Sequence, residues 1–126
     1  CFVFVECCGG LFSPLAENGL NAVCVVALLF PVFLVADDRV GVFSHVLLNM
    51  EAMQMRGLHI AGVVLNQLDA DRNEHMDNSA DLREWLDCPV FTSTYMKDGN
   101  AEFSEALIDA LIVTSSNKGP YIRTVG

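Results

Sequence analysis

Phe2-Val3-Phe4-Val5-Glu6-Cys7-Cys8-Gly9-Gly10 decides the fold class of this chain. An apolar run of strand length stops at one acid, and a glycine pair follows. A strand that is continuously apolar, rather than alternating, suits a parallel sheet covered on both faces. The glycines allow a tight turn or a close approach of backbone to a ligand. Ligands of open α/β sheets bind in the crevice outside the carboxyl ends of the strands. Glu6 is therefore the first candidate for chemistry.

The same grammar repeats downstream. Val32-Phe33-Leu34-Val35-Ala36 is a second continuous strand, ending at Asp37-Asp38, and Ile60 to Leu65 is a third, closed by Asn66. Between them, Phe43, Val46, Leu47, Met50 and Met53 recur at helical spacing, which predicts a helix over 42–56 stopped by Gly57. A helix ending near Leu29 precedes the second strand, with Asn18 as its expected cap. Asp69 to Asn73 is expected as a polar loop. A helix over 74–86, with Met76, Leu82, Trp85 and Leu86 on its buried side, leads to a short strand over 90–92. A last helix is expected over 101–113, carrying Phe103, Leu107, Ile108 and Leu111 inward. The expectation is an α/β domain: a parallel sheet with helices on both faces.

Composition narrows the partners. The 126 residues allow one domain, and the net charge of -9 with only 7 Lys and Arg argues against nucleic acid. The uncharged stretch 20–36 is too short to span a bilayer and is interrupted by Pro31. No membrane span and no secretory signal is expected. The 5 cysteines match no zinc spacing, so reduced thiols are expected.

The strand ends should bring Glu6, Asp37-Asp38 and Asn66 to one edge of the sheet. Val40-Gly41-Val42-Phe43-Ser44-His45 turns into a helix N-terminus there, whose free N–H groups suit a carboxylate or phosphate. Asp37 and Asp38 read as loop charges, since adjacent residues of an extended chain point to opposite faces. His45 reads as packing or capping within its helix, and His59 and His75 as surface residues. Met50, Met53 and Met55 read as packing.

Taken in order, these pieces resemble the ATP-dependent dethiobiotin synthetase family. The resemblance is carried by Val5-Glu6-Cys7-Cys8-Gly9-Gly10, Ser13-Pro14-Leu15 and Phe30-Pro31-Val32-Phe33-Leu34-Val35. It continues through Val40-Gly41-Val42-Phe43-Ser44-His45, Arg56-Gly57-Leu58 and Ala61-Gly62-Val63-Val64-Leu65-Asn66. It implies a three-layer P-loop-NTPase-like fragment, with residues 1–113 the carboxy-terminal part of the domain; the polar stretch 114–126, rich in Ser, Gly and Pro, is expected as a flexible tail. It implies a cytoplasmic homodimer acting on 7,8-diaminopelargonate, CO2 and ATP with Mg2+. Glu6 matches the family's Mg2+ ligand. Gly9 and Gly10 match backbone lying against the substrate, and Gly41, Val42, Phe43 and Ser44 match the helix start that holds its carboxylate across the dimer interface. Glu6, Gly9, Asn66, Thr94 and Tyr95 match nucleotide contacts, Asn66 through the adenine edge.

The family's glycine-rich phosphate loop, with its lysine, falls before residue 1 in this comparison, and no Gly-x-x-x-x-Gly-Lys occurs in the chain. No catalytic residue is therefore assigned within it, and the fragment alone is expected to be inactive. Cys7-Cys8 stands where Gly-Ala is usual, and a Cβ at Cys7 would cost on the order of 1 kcal/mol if φ there were positive. Ser44 stands where the family has Asn, and Cys24, Val26 and Leu29 lie where charges are usual. Another P-loop amidoligase, a synthetase-like regulatory domain, and a non-catalytic interaction module are the alternatives.

Overall fold

Apolar strands alternating with helices assemble as a six-stranded sheet, beside a separate two-stranded hairpin, in the computed structural model, which describes residues 3–7, 9–68, 76–95, 101–103, 105–118 and 121–125. The elements are β1 (Val3–Cys7), β2 (Pro14–Ala16), β3 (Gly19–Leu20), α1 (Asn21–Leu28), β4 (Val32–Asp37), α2 (Val42–Met55) and β5 (Ile60–Asn66). They continue with α3 (Asn78–Trp85), β6 (Val90–Tyr95), β7 (Ala101–Phe103), α4 (Glu105–Lys118) and β8 (Tyr121–Val125). The main sheet runs β1-β8-β4-β5-β6-β7, parallel throughout except where β7 pairs antiparallel with β6.

Strand alternation sorts the core into two layers. Val32, Leu34 and Ala36 of β4, with Val63 and Leu65 of β5, pack against Ala22 and Val25 of α1, Val46, Met50 and Met53 of α2, and Leu82 of α3. Phe33, Val64 and Phe91 face the other way, against Leu107 of α4. Helices thus cover both faces, and the α/β class read from the strands is the one observed. Arg83 joins α3 to the sheet: its guanidinium donates to the Val90 carbonyl oxygen at 2.9 Å and to Ser79 Oγ at 3.3 Å. Among the described residues, no helix is long and apolar enough to cross a membrane.

Helix ends follow local chemistry. Gly57, at φ +67°, closes α2 by donating to the Gln54 carbonyl oxygen (2.9 Å), while Leu58 N donates to that of Met53 (3.1 Å). That is the paired-bond C-cap for which glycine is suited. The corresponding position after α1 is Leu29, at φ 56° and 83% exposed. A side chain in this conformation costs roughly 1–2 kcal/mol, and little of this one is buried to offset it. Leu29→Gly should therefore raise stability by about 0.5–1 kcal/mol in a denaturant melt, after allowing for the entropy that glycine adds to the unfolded chain.

Several expectations are corrected. Asn18 does not cap α1; it lies in the turn between β2 and β3, and Leu20 stands at the N-cap without a side-chain bond. The helix expected from residue 74 starts at Asn78, where the Asp77 carboxylate accepts from Ala80 N at 3.1 Å. Its expected inward residues divide: Leu82 is buried, but Trp85 is 69% exposed and Met76 is also exposed. The helix expected at 101 begins at Glu105, because Ala101–Phe103 pair with Ser93–Tyr95 as β7. In α4, Ile108 is exposed. In α2, Met55 is exposed while Met50 and Met53 are core.

Instead of a tail from Thr114, α4 runs to Lys118 and Tyr121–Val125 enter the sheet between β1 and β4. Cys7 is buried in an extended strand, so the strain envisaged there does not arise; the positive φ falls on Gly9. The expected loop over 69–73, His75, Cys1 and Cys8 lie outside the described residues.

Candidate functional site

Parallel pairing puts the carboxyl ends of β1, β4, β5 and β6 on one rim. Asp37 stands in register with Asn66, and Asn66 with Ser93. The backbone that leaves β1 and the backbone that leaves β4 both turn through glycine at this rim. Gly9 has φ +78° and Gly41 has φ +90°, conformations that side chains disfavour. Together they bound a cavity of about 420 Å3, lined by Gly9, Gly10, Val35, Ala36, Asp37, Arg39, Val40, Gly41, Val42 and His45.

Both cavity walls are held by backbone bonds. On the β1 side, Ser13 N donates to the Gly10 carbonyl oxygen (2.9 Å) and Ala22 N to that of Leu11 (2.8 Å), so α1 grips the loop. On the β4 side, Arg39 N donates to the Asp37 carbonyl oxygen (2.9 Å) and Val42 N to that of Arg39 (3.1 Å). Gly41 is the N-cap of α2 and supplies no side-chain bond, and the first turn carries no acid. The helix start can therefore offer amide hydrogens and its positive dipole end to an anion. Arg39 adds a cation on the same wall. Among the described residues, no ion pair or hydrogen bond engages its guanidinium.

The expected site residues divide. Gly9, Gly10, Gly41 and Val42 line one cavity within a single chain. Phe43 does not; its ring meets Trp85 edge-on at 6.0 Å between centroids, on the core side of α2. Ser44 is exposed and also lies outside the lining. Glu6 is exposed near the carboxyl end of β1, on the same rim but outside the cavity. Asn66 is half-buried, and its Oδ1 accepts from the buried Ser93 hydroxyl at 3.1 Å. That bond fixes the amide plane and leaves its Nδ2 as a donor. Thr94 is exposed at the end of β6, and the backbone of Tyr95 follows it.

Three residues depart from the sequence expectation. His45 lines the cavity instead of packing within its helix. Asp37 lines it too, whereas Asp38 is held by Asn78 Nδ2 at 2.8 Å, as a structural bond and not a free loop charge. Arg39 was missed; a lone cation between a strand-end acid pair and a glycine turn was the available signal.

The opposite rim holds another cavity, of about 460 Å3, with Leu58, His59, Trp85 and Cys88 in its wall. Burial there pushes the Cys88 thiol up, Asp87 adds to the rise, and a backbone hydrogen bond partly opposes it. Such a thiol is a poor nucleophile at neutral pH. Among the described residues, no disulfide joins Cys7, Cys24 or Cys88, and no group of three or more His, Cys, Asp or Glu could hold a metal ion.

A family model described as an AAA domain matches residues 1–94. The ATP-dependent dethiobiotin synthetase of Rhodopirellula baltica is 35% identical over 107 residues, covering 77% of this chain and 42% of that protein. That of Ralstonia nicotianae is 42% identical over 87 residues, covering 69% of this chain and 38% of that protein. The chain thus spans less than half the length of these curated relatives.

Proposed function

The chain belongs to the AAA-domain family, and on that premise we propose that it is the carboxy-terminal part of an ATP-dependent dethiobiotin synthetase. In the proposed reaction one amine of 7,8-diaminopelargonate takes up CO2 as a carbamate, ATP phosphorylates the carbamate, and the second amine closes the cyclic urea. ADP and phosphate leave. The observation that carries this reading is the shared cavity of Gly9-Gly10 and Gly41-Val42. Its walls are the segments that would face the diamine and its carboxylate.

Each residue then has a chemical task. The amides of Gly41, Phe43 and Ser44 at the start of α2 receive the substrate carboxylate, Val42 N being held by the Arg39 carbonyl oxygen, and the glycines at 9 and 10 let backbone lie against its chain. The Nδ2 of Asn66 donates to the adenine edge, with Thr94 and Tyr95 beside the base. Phe43 acts through its backbone, since its ring is committed to Trp85.

Mg2+ fits the donor set: it needs only one or two carboxylates beside water and phosphate oxygens, and Glu6 is an exposed strand-end carboxylate. Bound there, it would neutralise phosphate charge during transfer. A homodimer in the cytoplasm completes the reading. Asp37 and His45, in the same wall, are available to hold or exchange protons of the substrate amines.

The test is formation of labelled dethiobiotin from 7,8-diaminopelargonate, 14C-bicarbonate and Mg·ATP by the full-length protein. ATP-dependent product is expected. Hydrolysis of ATP with no incorporation of label would overturn the assignment.

A further inference from the structure

The two walls of the cavity grow from strands that do not touch. β8 separates β1 from β4, so their backbones lie about 9–10 Å apart, two strand spacings. No shared ladder fixes the loop after β1 relative to the start of α2. Asn49, outside the cavity lining, supplies that link, and Asn21 ties the same loop to α1.

Asn21, the one amide side chain in the apolar stretch 20–36, is 1% exposed. Its Nδ2 donates to the Gly10 carbonyl oxygen at 3.1 Å, and its backbone N donates to the Ser13 carbonyl oxygen at 2.9 Å. Asn49 reaches the same loop from α2. Its Oδ1 accepts from Leu11 N at 3.4 Å, while its Nδ2 donates to the His45 carbonyl oxygen at 2.8 Å. Leu11 is itself fully buried, which seats the loop between the two helices.

We propose that Asn21 and Asn49 are positioning residues that clamp the glycine loop to α1 and α2 and so set the width of the cavity. Neither lines the cavity, so their effect on a reaction is exerted through Gly9, Gly10 and His45. A burial-driven fold has no need of an amide at 21, since a leucine there would bury more apolar surface. The amide satisfies a loop carbonyl that would otherwise be buried with fewer donors.

Asn49 gives the decisive variants. Asn49→Leu removes both bonds at similar size, whereas Asn49→Asp keeps the acceptor for Leu11 N. By amide hydrogen exchange on the full chain, Asn49→Leu should speed exchange at Leu11 about tenfold while Val63 and Leu65 stay within about twofold. Asn49→Asp should retain most of the Leu11 protection. Unchanged Leu11 exchange in Asn49→Leu, or equal acceleration in both variants, would overturn the proposal.

The kinetic consequence rests on the proposed reaction. In the full-length protein, Asn49→Leu should raise KM for 7,8-diaminopelargonate about tenfold with little change in KM for ATP, and Asn49→Asp should recover most of the loss. An equal rise in both KM values would contradict a role in cavity width. Failure of the wild type to make dethiobiotin would sink the functional reading, while the exchange experiment would still decide the clamp.

Discussion

Replacing Glu6 by Gln in the full-length protein is expected to cut turnover by about a hundredfold or more, with Asp38→Asn losing less than about fivefold. The difference comes from what each carboxylate already does. Glu6 is exposed near the end of β1, on the rim where the other strand ends converge, and no described residue engages its carboxylate. Gln keeps its size but removes the charge that a hard cation requires. Asp38 is already committed to Asn78 Nδ2 at 2.8 Å, and an asparagine there retains an acceptor oxygen. The expected signature is a fall in kcat that added Mg2+ partly restores. Equal losses in the two variants would mean that the metal role is misplaced.

Gly9→Ala is expected to cost about 2–4 kcal/mol in the loop and to abolish most substrate binding, whereas Gly41→Ala should cost about 1–2 kcal/mol. Both glycines have positive φ, so both variants meet backbone strain. Only Gly9 also meets a neighbour: a Cβ there would lie 2.5 Å from Ser13 Oγ and 2.9 Å from Ser13 Cβ. At Gly41 nothing lies within 4 Å. The steric part should be removable. Ser13→Gly added to Gly9→Ala should recover about 1 kcal/mol or more, read as a coupling in a double-mutant cycle. Strict additivity would show that the loop does not hold Ser13 where this geometry has it.

The core of this fold was legible because burial wrote it. β4 and β5 are continuously apolar and terminate at Asp37 and Asn66, and the structure ends them at those residues. The face of α2 read from Val46, Met50 and Met53 is the buried one, and Gly57 stops it with the expected conformation. Periodicity failed where pairing, not burial, makes the element. Tyr121–Val125 carry Arg123 and Thr124, which read as a solvated tail, yet their backbone lies between two apolar strands. Ala101–Phe103 continued a helical pattern but pair with β6.

The walls of the candidate cavity were legible to a similar depth. Glycines at strand and helix ends marked the cavity walls, because positive φ and close approach select that residue. Side-chain direction was not legible. Phe43 belongs to the right segment but faces Trp85, and His45, read as packing, faces the cavity. One helical turn carries both, Phe43 against Trp85 and His45 at the cavity. The proposed clamp has no pattern in the sequence: Asn21 is one amide in an otherwise apolar stretch, and its partner Gly10 is set by the fold.

The most direct test of a common substrate cavity is an amide chemical-shift titration of the 15N-labelled chain with 7,8-diaminopelargonate. Shifts confined to Gly9, Gly10 and Gly41 through Ser44 are predicted, with Leu58 to Ala61 and Leu86 to Cys88 at the opposite rim unmoved. Shifts at that opposite rim, or at only one of the two cavity walls, would contradict the account.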